Sequence, residues 1–312
     1  MGPMTAWEYH DTLVASLHGR RDLSIQEFTG AIRYNGNDYP FTRVASRNIT
    51  PKDRVMLIRA TFHGDETAGA QTMLHHLPEI AEVVHSRGLK LIVYPLANPS
   101  GFERGEPGGE NGTRGYDDWV RYLMNDGRVV DELLSGETYT RRFISSDPEL
   151  SKHGVNDTLV QETALMHKLI RNDLALGARI VAALDLHQHC HVENGEDPEK
   201  LGRPAAYFYA FGERGWRKRY DTIVNRIERH VPVLRHTQIL SGESIPMRTD
   251  DQGCIADCRD GSFTDYLAWR GTESITTETT GTTPPEAAEE VNMEWVRGLA
   301  KLHSRARNHT KT

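Results

Sequence analysis

Short apolar runs alternate along the chain with segments whose apolar residues recur at helical spacing. The run 55–60 is followed by Gly64 and by a helical pattern, which predicts a buried strand, a tight loop and a helix. Pro78 lies inside that helical pattern, and we expect it to kink or restart the helix. Similar apolar runs predict further strands at 89–96, 180–186, 205–211 and 273–278.

The other predicted elements surround these strands. Asn35-Gly36-Asn37-Asp38 predicts the turn of an N-terminal hairpin between strands at 28–34 and 39–44. The stretches 97–157 and 241–261 lack a regular pattern and are predicted as loops. Loops as long as the first are usually functional or disordered, and beside a candidate site we favour the functional interpretation. Helices are predicted at 5–19, 158–176, 213–230 and 263–270, and a last helix is predicted to open at Pro284-Pro285.

Alternating strands and helices predict an α/β fold with a mixed, mostly parallel central sheet flanked by helices. No internal repeat or linker interrupts the pattern. We therefore expect a single domain over residues 1–312, with the N-terminal helix and hairpin at 5–45 included.

Composition limits the possible partners. Hydrophobic residues make up 38% and charged residues 26% of the 312 residues, as in ordinary globular proteins. The net charge of −7 argues against a nucleic-acid surface or a polybasic membrane patch. No apolar run approaches the roughly 20 residues of a membrane span, and the N-terminus lacks the regions of a signal peptide. We expect a cytoplasmic protein; its oligomeric state stays open.

The three cysteines argue against a disulfide framework because their number is odd. Cys254 and Cys258 could help to bind a metal, but no second pair completes a structural zinc site. Two reduced cysteines near the site are the favoured interpretation.

The candidate chemistry begins at His63 and Glu66, which lie three positions apart directly after the first strand. Open α/β sheets bind their ligands at the carboxyl ends of strands. An imidazole and a carboxylate at this spacing can reach one divalent metal, and this combination is typical of catalytic zinc. Alone, the pair is weak evidence for a metal site, since most such pairs lie on solvated helix surfaces.

Three further motifs follow in order at predicted strand ends. They are Asn98-Pro99-Ser100-Gly101, Asp185-Leu186-His187, and Gly261-Ser262 followed by Thr277-Glu278-Thr279. With the first motif, this ordered set resembles the zinc carboxypeptidase family, including its succinylglutamate desuccinylase and aspartoacylase branch. The resemblance covers about residues 35–278 and implies a zinc carboxypeptidase-like fold.

The resemblance also implies one zinc ion on His63, Glu66 and His187. Asp185 shares the strand face of His187, although spacing alone does not prove a contact. His189 shares that face too if the strand continues. It either lines the pocket and binds substrate or is an exposed loop histidine, and the same holds for the histidine at 191. Spacing does not identify the metal, because Mn, Co and Ni accept the same ligands.

Catalytic and substrate-binding roles follow from the same resemblance. Glu278 matches the general base, which takes a proton from water and returns it to the leaving amine; the alternative is a surface carboxylate on an edge strand. Arg114 matches the group that polarises the scissile carbonyl, and Arg121 the clamp for a substrate carboxylate. Either arginine could instead form a loop salt bridge. Asn98 is a further substrate-binding candidate, although such residues more often shape their loop.

Three departures bear on the substrate. Val120 stands where the family has an asparagine, and residues 254–261 contain no tyrosine where digestive carboxypeptidases carry one. Thr264, which the resemblance places near the specificity pocket, is small and polar. These departures weigh against digestion of peptides with apolar carboxyl-terminal residues.

We therefore expect a metallocarboxypeptidase-like zinc hydrolase of amide bonds. Its substrate would be a small peptide or an N-acyl amino acid with a free carboxylate. The alternatives are an N-acyl amino acid deacylase of the succinylglutamate desuccinylase and aspartoacylase type, or a non-catalytic zinc-binding relative. A metal-dependent esterase would use the same site.

Overall fold

The computed structural model describes residues 4–106, 119–131, 133, 137–155, 159–175, 177–211, 219–241, 245–256 and 259–304. The strands are β1 (Leu23–Glu27), β2 (Ile32–Tyr34), β3 (Asn37–Tyr39), β4 (Thr42–Ser46), β5 (Arg54–Ala60), β6 (Lys90–Tyr94), β7 (Val120–Met124), β8 (Val129–Val130), β9 (Tyr139–Ile144), β10 (Arg179–His189), β11 (Ala206–Phe211), β12 (Gln238–Ser241), β13 (Ile245–Arg248), β14 (Cys254–Ala256) and β15 (Glu273–Thr280). The helices are α1 (Ala6–Ser16), α2 (Thr67–Ser86), α3 (Pro99–Arg104), α4 (Gln161–Ala175), α5 (Pro198–Leu201), α6 (Asp221–Ile227), α7 (Phe263–Trp269) and α8 (Pro285–Leu302), with a 3-10 helix at Pro148–His153.

Eight strands form the central sheet in the order β1-β4-β6-β5-β10-β15-β11-β14. The four middle strands, β6, β5, β10 and β15, are mutually parallel. β1, β4 and β11 pair antiparallel with their neighbours, and β14 joins β11 in parallel. This arrangement confirms the predicted mixed, mostly parallel sheet.

Helices cover both faces of the middle strands. Gly69 of α2 lies against Ala60 and Leu186 on one face. Phe263 of α7 stacks on Arg59, whose side chain points the other way because successive strand residues alternate between faces. The apolar runs of β5 and β10 are therefore buried on both sides, as their sequences predicted.

The N-terminal hairpin is confirmed, with a tighter turn than predicted. β2 and β3 pair as neighbours across Asn35 and Gly36, whose φ angles are 50° and 86°. Two positive φ values in succession are typical of the type I′ turn, which matches the twist of paired strands. The second strand consequently runs over Asn37–Tyr39 instead of 39–44, and residues 42–44 belong to β4, which pairs with β1 in the central sheet.

Three sequence predictions differ from the structure. The region predicted as a loop over 97–157 contains α3 and the small antiparallel sheet β8-β7-β9. The other predicted loop, 241–261, contains β13 and β14, since each finds a partner strand. α2 runs through Pro78 as one helix and is not restarted there, while a kink at Pro78 stays a prediction. The short strands β7, β8, β9, β13 and β14 depend on pairing with other segments of the chain, which local patterns do not report.

A helix that crosses a membrane must be about 20 residues long and mostly apolar. Among the described residues, no helix combines the length and the apolarity that crossing a bilayer requires.

Candidate active site

The carboxyl ends of β5, β10 and β15 lie side by side. β10 is paired between the other two strands, with Leu186 opposite Ala60 and His187 opposite Glu278. Because the three strands are parallel, residues at and beyond their ends collect at one edge of the sheet, where α/β folds bind ligands. This edge therefore brings His187 and Glu278 together and receives the loop that follows β5.

That loop turns sharply at Thr61, whose φ of 55° is rare for a β-branched residue. The Thr61 carbonyl accepts a hydrogen bond of 3.1 Å from the Asn98 amide, and the Ala60 carbonyl accepts one of 3.0 Å from the Ala97 amide. The loops after β5 and β6 are therefore tied together. Strained backbone of this kind is concentrated at functional sites, where the surrounding structure maintains it.

Two glycines allow the same loop to press against α3. A Cβ on Gly64 would lie 2.0 Å from the Gly101 carbonyl carbon, and a Cβ on Gly101 would lie 2.6 Å from Asn98 Nδ2. Asn98 caps α3, because its Oδ1 accepts a 2.9 Å hydrogen bond from the Gly101 amide. The motif thus supports the loop that carries His63 and Glu66. A contact between Asn98 and substrate stays a prediction.

His63, Glu66 and His187 converge at this edge. His63 Nδ1 lies 2.6 Å from Glu66 Oε1, and His187 Nδ1 lies 2.8 Å from Glu66 Oε2. One ligand atom from each of the three residues lies within 4.8 Å of the others. Two imidazole nitrogens and a carboxylate oxygen match the donor set of catalytic zinc, so the group fits such an ion.

Charge interactions within this group are strong. Burial raises the pKa of the Glu66 carboxyl, but His63 and His187 lower it more, so that the pKa lies below its usual value. Burial lowers the pKa of the His187 imidazole, whereas Asp185 and Glu66 raise it well above its usual value. Glu66 is therefore anionic, as binding of a cation requires.

Glu278 lies beside the ligand group without belonging to it. Glu278 is only 9% exposed, and its Oε2 has no hydrogen-bond partner among the described residues. Burial raises the pKa of this carboxyl well above its usual value, and the nearby carboxylates of Glu66 and Asp185 add to the rise, while His187 opposes it. A buried carboxyl with a raised pKa and an oxygen that has no partner among the described residues has the features of a group that accepts and returns a proton.

Behind His187 lies a buried ion pair. Asp185 Oδ2 is 3.0 Å from His187 Nε2, on the side of the ring opposite to Glu66. Asp185 is in turn bound by Arg59, whose Nε donates to Oδ1 at 2.9 Å. The sequence predicted that Asp185 shares the strand face of His187, but no prediction concerned Arg59. The available signal was an arginine inside the otherwise apolar strand β5.

His189 occupies the last position of β10 and is bound on both sides. Its Nδ1 lies 2.8 Å from the Tyr207 hydroxyl, and its Nε2 lies 3.0 Å from Glu196 Oε2. His191 is exposed and lies 2.9 Å from Asp65 Oδ2. Neither histidine belongs to the three-residue ligand group, and substrate binding by His189 stays a prediction.

The two predicted arginines have different outcomes. Arg114 lies outside the described residues. Arg121 is on β7, where its Nη1 donates to Asp131 Oδ2 at 2.9 Å. The start of β7 is joined to the Gly-Ser motif, since the amides of Trp119 and Val120 both donate to the Gly261 carbonyl at 2.9 Å. The carboxylate clamp at Arg121 stays a prediction.

Thr264 lies in the first turn of α7 and is completely buried. Its hydroxyl lies 3.0 Å from the hydroxyls of Thr276 and Ser262. Thr276 precedes Glu278 by two residues on β15, so these hydroxyls lie on the same sheet face as Glu278. The predicted role of Thr264 near a specificity pocket stays a prediction.

No protein-family model and no curated protein matches this sequence. The chain is similar to the solved structure of a candidate metallopeptidase from Shewanella amazonensis, with 18% identity, a TM-score of 0.65, and coverage of 96% of this chain and 93% of that one. It is also similar to a metallo-carboxypeptidase from Burkholderia cenocepacia, with 13% identity, a TM-score of 0.55, and coverage of 94% and 67%.

A third similar structure is bovine thrombin-activatable fibrinolysis inhibitor, solved in complex with tick carboxypeptidase inhibitor. Its identity is 11% and its TM-score is 0.55, with coverage of 96% of this chain and 95% of that one. At such low identities the likeness concerns the fold, and function must be argued from the site. The chain therefore has the fold of the metallopeptidases and metallo-carboxypeptidases, as its motifs predicted.

Proposed function

We propose that this chain is a zinc-dependent hydrolase of amide bonds. The observation that carries the proposal is the placement of Glu278, a buried carboxyl with a free oxygen, directly across the sheet from His187. The three-residue group of His63, Glu66 and His187 offers the donor set of catalytic zinc beside it. The metallo-carboxypeptidase fold supports the same assignment.

The chain's residues divide the work of hydrolysis. His63, Glu66 and His187 would hold the ion. When bound, zinc supplies a Lewis acid and lowers the pKa of a water molecule toward about 7. Glu278 takes a proton from the attacking water at its free carboxylate oxygen and returns it to the leaving amine. Burial, together with the nearby carboxylates of Glu66 and Asp185, raises the pKa of Glu278 above that of an ordinary carboxyl, which makes it a stronger base for the first transfer.

Arg114 and Arg121 are the proposed substrate groups. Arg114 would polarise the scissile carbonyl, and Arg121 would bind a free carboxylate through a charge-assisted pair. The Arg121 guanidinium already pairs with Asp131, whose side chain is 38% exposed. A substrate carboxylate would therefore share or replace an accessible partner. The substrate class is a small peptide trimmed at its carboxyl end or an N-acyl amino acid.

A second candidate is an N-acyl amino acid deacylase of the succinylglutamate desuccinylase and aspartoacylase type. It is favoured by Val120, by the absence of tyrosine from 254–261, and by Thr264, which is small and polar. A small N-acyl amino acid needs a smaller apolar pocket than a peptide with a large apolar carboxyl-terminal side chain. Both candidates use the same ligand group and the same base.

Zinc content tests the ligand group. Elemental analysis of His187→Ala should show a sharp loss of zinc, because one of three protein ligands is removed. His189→Ala is the matched control, because His189 lies two residues further along β10. This variant should keep its zinc. Equal loss of zinc in both variants would contradict the assignment of His187 as a ligand.

A paired substrate panel tests the reaction and the clamp. N-acyl amino acids and short peptides should be hydrolysed as free acids, and carboxyl amidation should cost about 2–5 kcal/mol in transition-state binding. Equal turnover of acids and amides would remove Arg121 from the site without affecting the ligand group. A zinc-loaded chain that hydrolyses no amide or ester would favour a non-catalytic zinc-binding protein.

A further inference from the structure

Arg59 is a fully buried arginine that ties together the two strands whose ends carry the ligand group. It lies directly opposite Asp185 in the register of β5 and β10. Its Nε donates to Asp185 Oδ1 at 2.9 Å, and its Nη2 donates to Asp185 Oδ2. Two parallel bonds from one planar guanidinium fix the plane of the carboxylate as well as its position.

The fixed carboxylate in turn orients His187. Asp185 Oδ2 also faces His187 Nε2 at 3.0 Å, so the imidazole is held from the side away from the ligand group. This contact points His187 Nδ1 toward Glu66 Oε2, 2.8 Å away. A carboxylate behind a metal-binding histidine sets which ring nitrogen binds and how the ring is oriented.

Two aromatic rings hold the guanidinium in place. Arg59 Cζ lies 4.3 Å from the centroid of Phe62 and 4.4 Å from that of Phe263. Phe62 directly precedes His63, and Phe263 directly follows the Gly-Ser motif. Arg59 therefore contacts the segment before one ligand and, through Asp185, orients another. Cation–π contacts of this kind are strongest in sites shielded from water.

From this geometry we infer that Arg59 is a positioning residue, which holds His187 and the Phe62-His63 segment in the arrangement that binds a metal ion. The inference rests on the proposed zinc site. Among the described contacts, Arg59 reaches the three-residue group through Asp185, which faces His187, and through Phe62, which precedes His63. The important property is the forked guanidinium, because a lysine would keep the charge but could not fix the carboxylate plane.

A second buried arginine–aspartate pair provides a matched control on the same sheet. Arg43 of β4 donates through Nη2 to Asp173 Oδ1 at 2.6 Å and through Nη1 to Gln26. The side chains of Arg43 and Asp173 are 8% and 15% exposed. Arg43, Asp173 and Gln26 all lie outside the ligand group, so the pair can serve folding alone.

The test compares Arg59→Lys with Arg43→Lys in the full-length chain. Both variants should lower the melting temperature of the metal-free protein, because each weakens a buried pair. Only Arg59→Lys should weaken zinc binding, by about 10–100-fold in competition with a chelator, as expected for loss of an outer contact to a ligand. After cobalt substitution, only Arg59→Lys should change the visible absorption bands, which report ligand geometry.

Zinc affinity and a cobalt spectrum in Arg59→Lys equal to those of the wild type would overturn the inference and leave the zinc site intact. Equal zinc loss in both lysine variants would also overturn it, because the effect would then follow from stability. Wild-type protein that binds neither zinc nor cobalt would overturn both the proposed function and this inference.

Asp185→Asn keeps the test decisive if Arg59→Lys does not fold. Asparagine retains the shape of Asp185 but carries no charge and offers the fork one oxygen instead of two. We expect zinc binding weaker by at least about tenfold and an altered cobalt spectrum. Asp173→Asn is its control and should bind zinc as the wild type does; a wild-type cobalt spectrum in Asp185→Asn would overturn the inference.

Discussion

Glu278 at the end of β15 and Glu162 in the first turn of α4 are both almost completely buried, and burial raises the pKa of both carboxyl groups. Their hydrogen bonds differ. Glu162 accepts one from the Tyr34 hydroxyl and one of 3.1 Å from the Ser100 hydroxyl. Glu278 Oε2 has no partner among the described residues. A raised pKa therefore reports burial, while the free oxygen beside a ligand group indicates chemistry.

The two regions are joined by α3. Ser100 of α3 contacts Glu162 on one side. Gly101, the next residue, lies on the other side against Gly64, in the loop that carries His63 and Glu66 (the ligand loop). Glu162 thus helps to hold the helix that supports the ligand loop. Glu278 is the carboxyl proposed to perform chemistry, whereas Glu162 maintains the structure under the site.

Substituting both glutamates tests this separation with the largest expected effect. Glu278→Gln keeps the side-chain shape but cannot accept a proton, so kcat should fall by about 10²–10⁴-fold while zinc content stays complete. Glu162→Gln should keep both near the wild-type values. Steady-state kinetics and elemental analysis measure these outcomes. Comparable kcat losses in the two variants would show that the free oxygen of Glu278 has no special role.

A smaller effect is expected where α3 meets the ligand loop. Gly64→Ala introduces a methyl group against the Gly101 backbone, which cannot move aside as a flexible side chain can. We expect a loss of about 1–3 kcal/mol in unfolding free energy from overpacking, together with weaker zinc binding as the ligand loop shifts.

Gly298→Ala in α8 is the control for overpacking, since its methyl group would meet the side chain of Ile223 in α6. Urea denaturation should show destabilisation in both variants, and chelator competition should show weaker zinc binding only in Gly64→Ala. Unchanged zinc affinity in Gly64→Ala would mean that α3 does not position the ligand loop.

The smallest effect concerns the pH dependence of stability at Glu162. Because its folded-state pKa is raised above the usual 4.5, the stability that the carboxyl contributes is complete below that value and is lost as pH rises through the folded-state pKa. Glu162→Gln lacks this titration. Replacing the carboxyl should cost about 1 kcal/mol at acidic pH, the size of one hydrogen bond, and less as pH increases.

Urea denaturation of wild type and Glu162→Gln, at intervals upward from pH 4.5, measures the change. A stability difference that is constant with pH would show that Glu162 does not titrate in the folded protein over this range.

Much of the sheet was predictable because its signals are local. The apolar runs of β5, β6, β10 and β15 predicted buried parallel strands, and their order with the intervening helices predicted the mixed α/β fold. The ordered motifs predicted the metallo-carboxypeptidase fold, which the solved structures support. The small sheet β8-β7-β9 was missed because its strands are short and stabilised by pairing with one another.

Local sequence patterns were enough to place the candidate residues near strand ends: His63 and Glu66 after β5, His187 near the end of β10, and Glu278 near the end of β15. The contacts among distant residues became visible only in the folded chain. Register alone places Arg59 opposite Asp185, although 126 positions separate them in sequence. Packing gives Glu162 two hydrogen-bond donors and leaves Glu278 Oε2 without one among the described residues. Such pairings depend on contacts between distant segments, which no local pattern encodes.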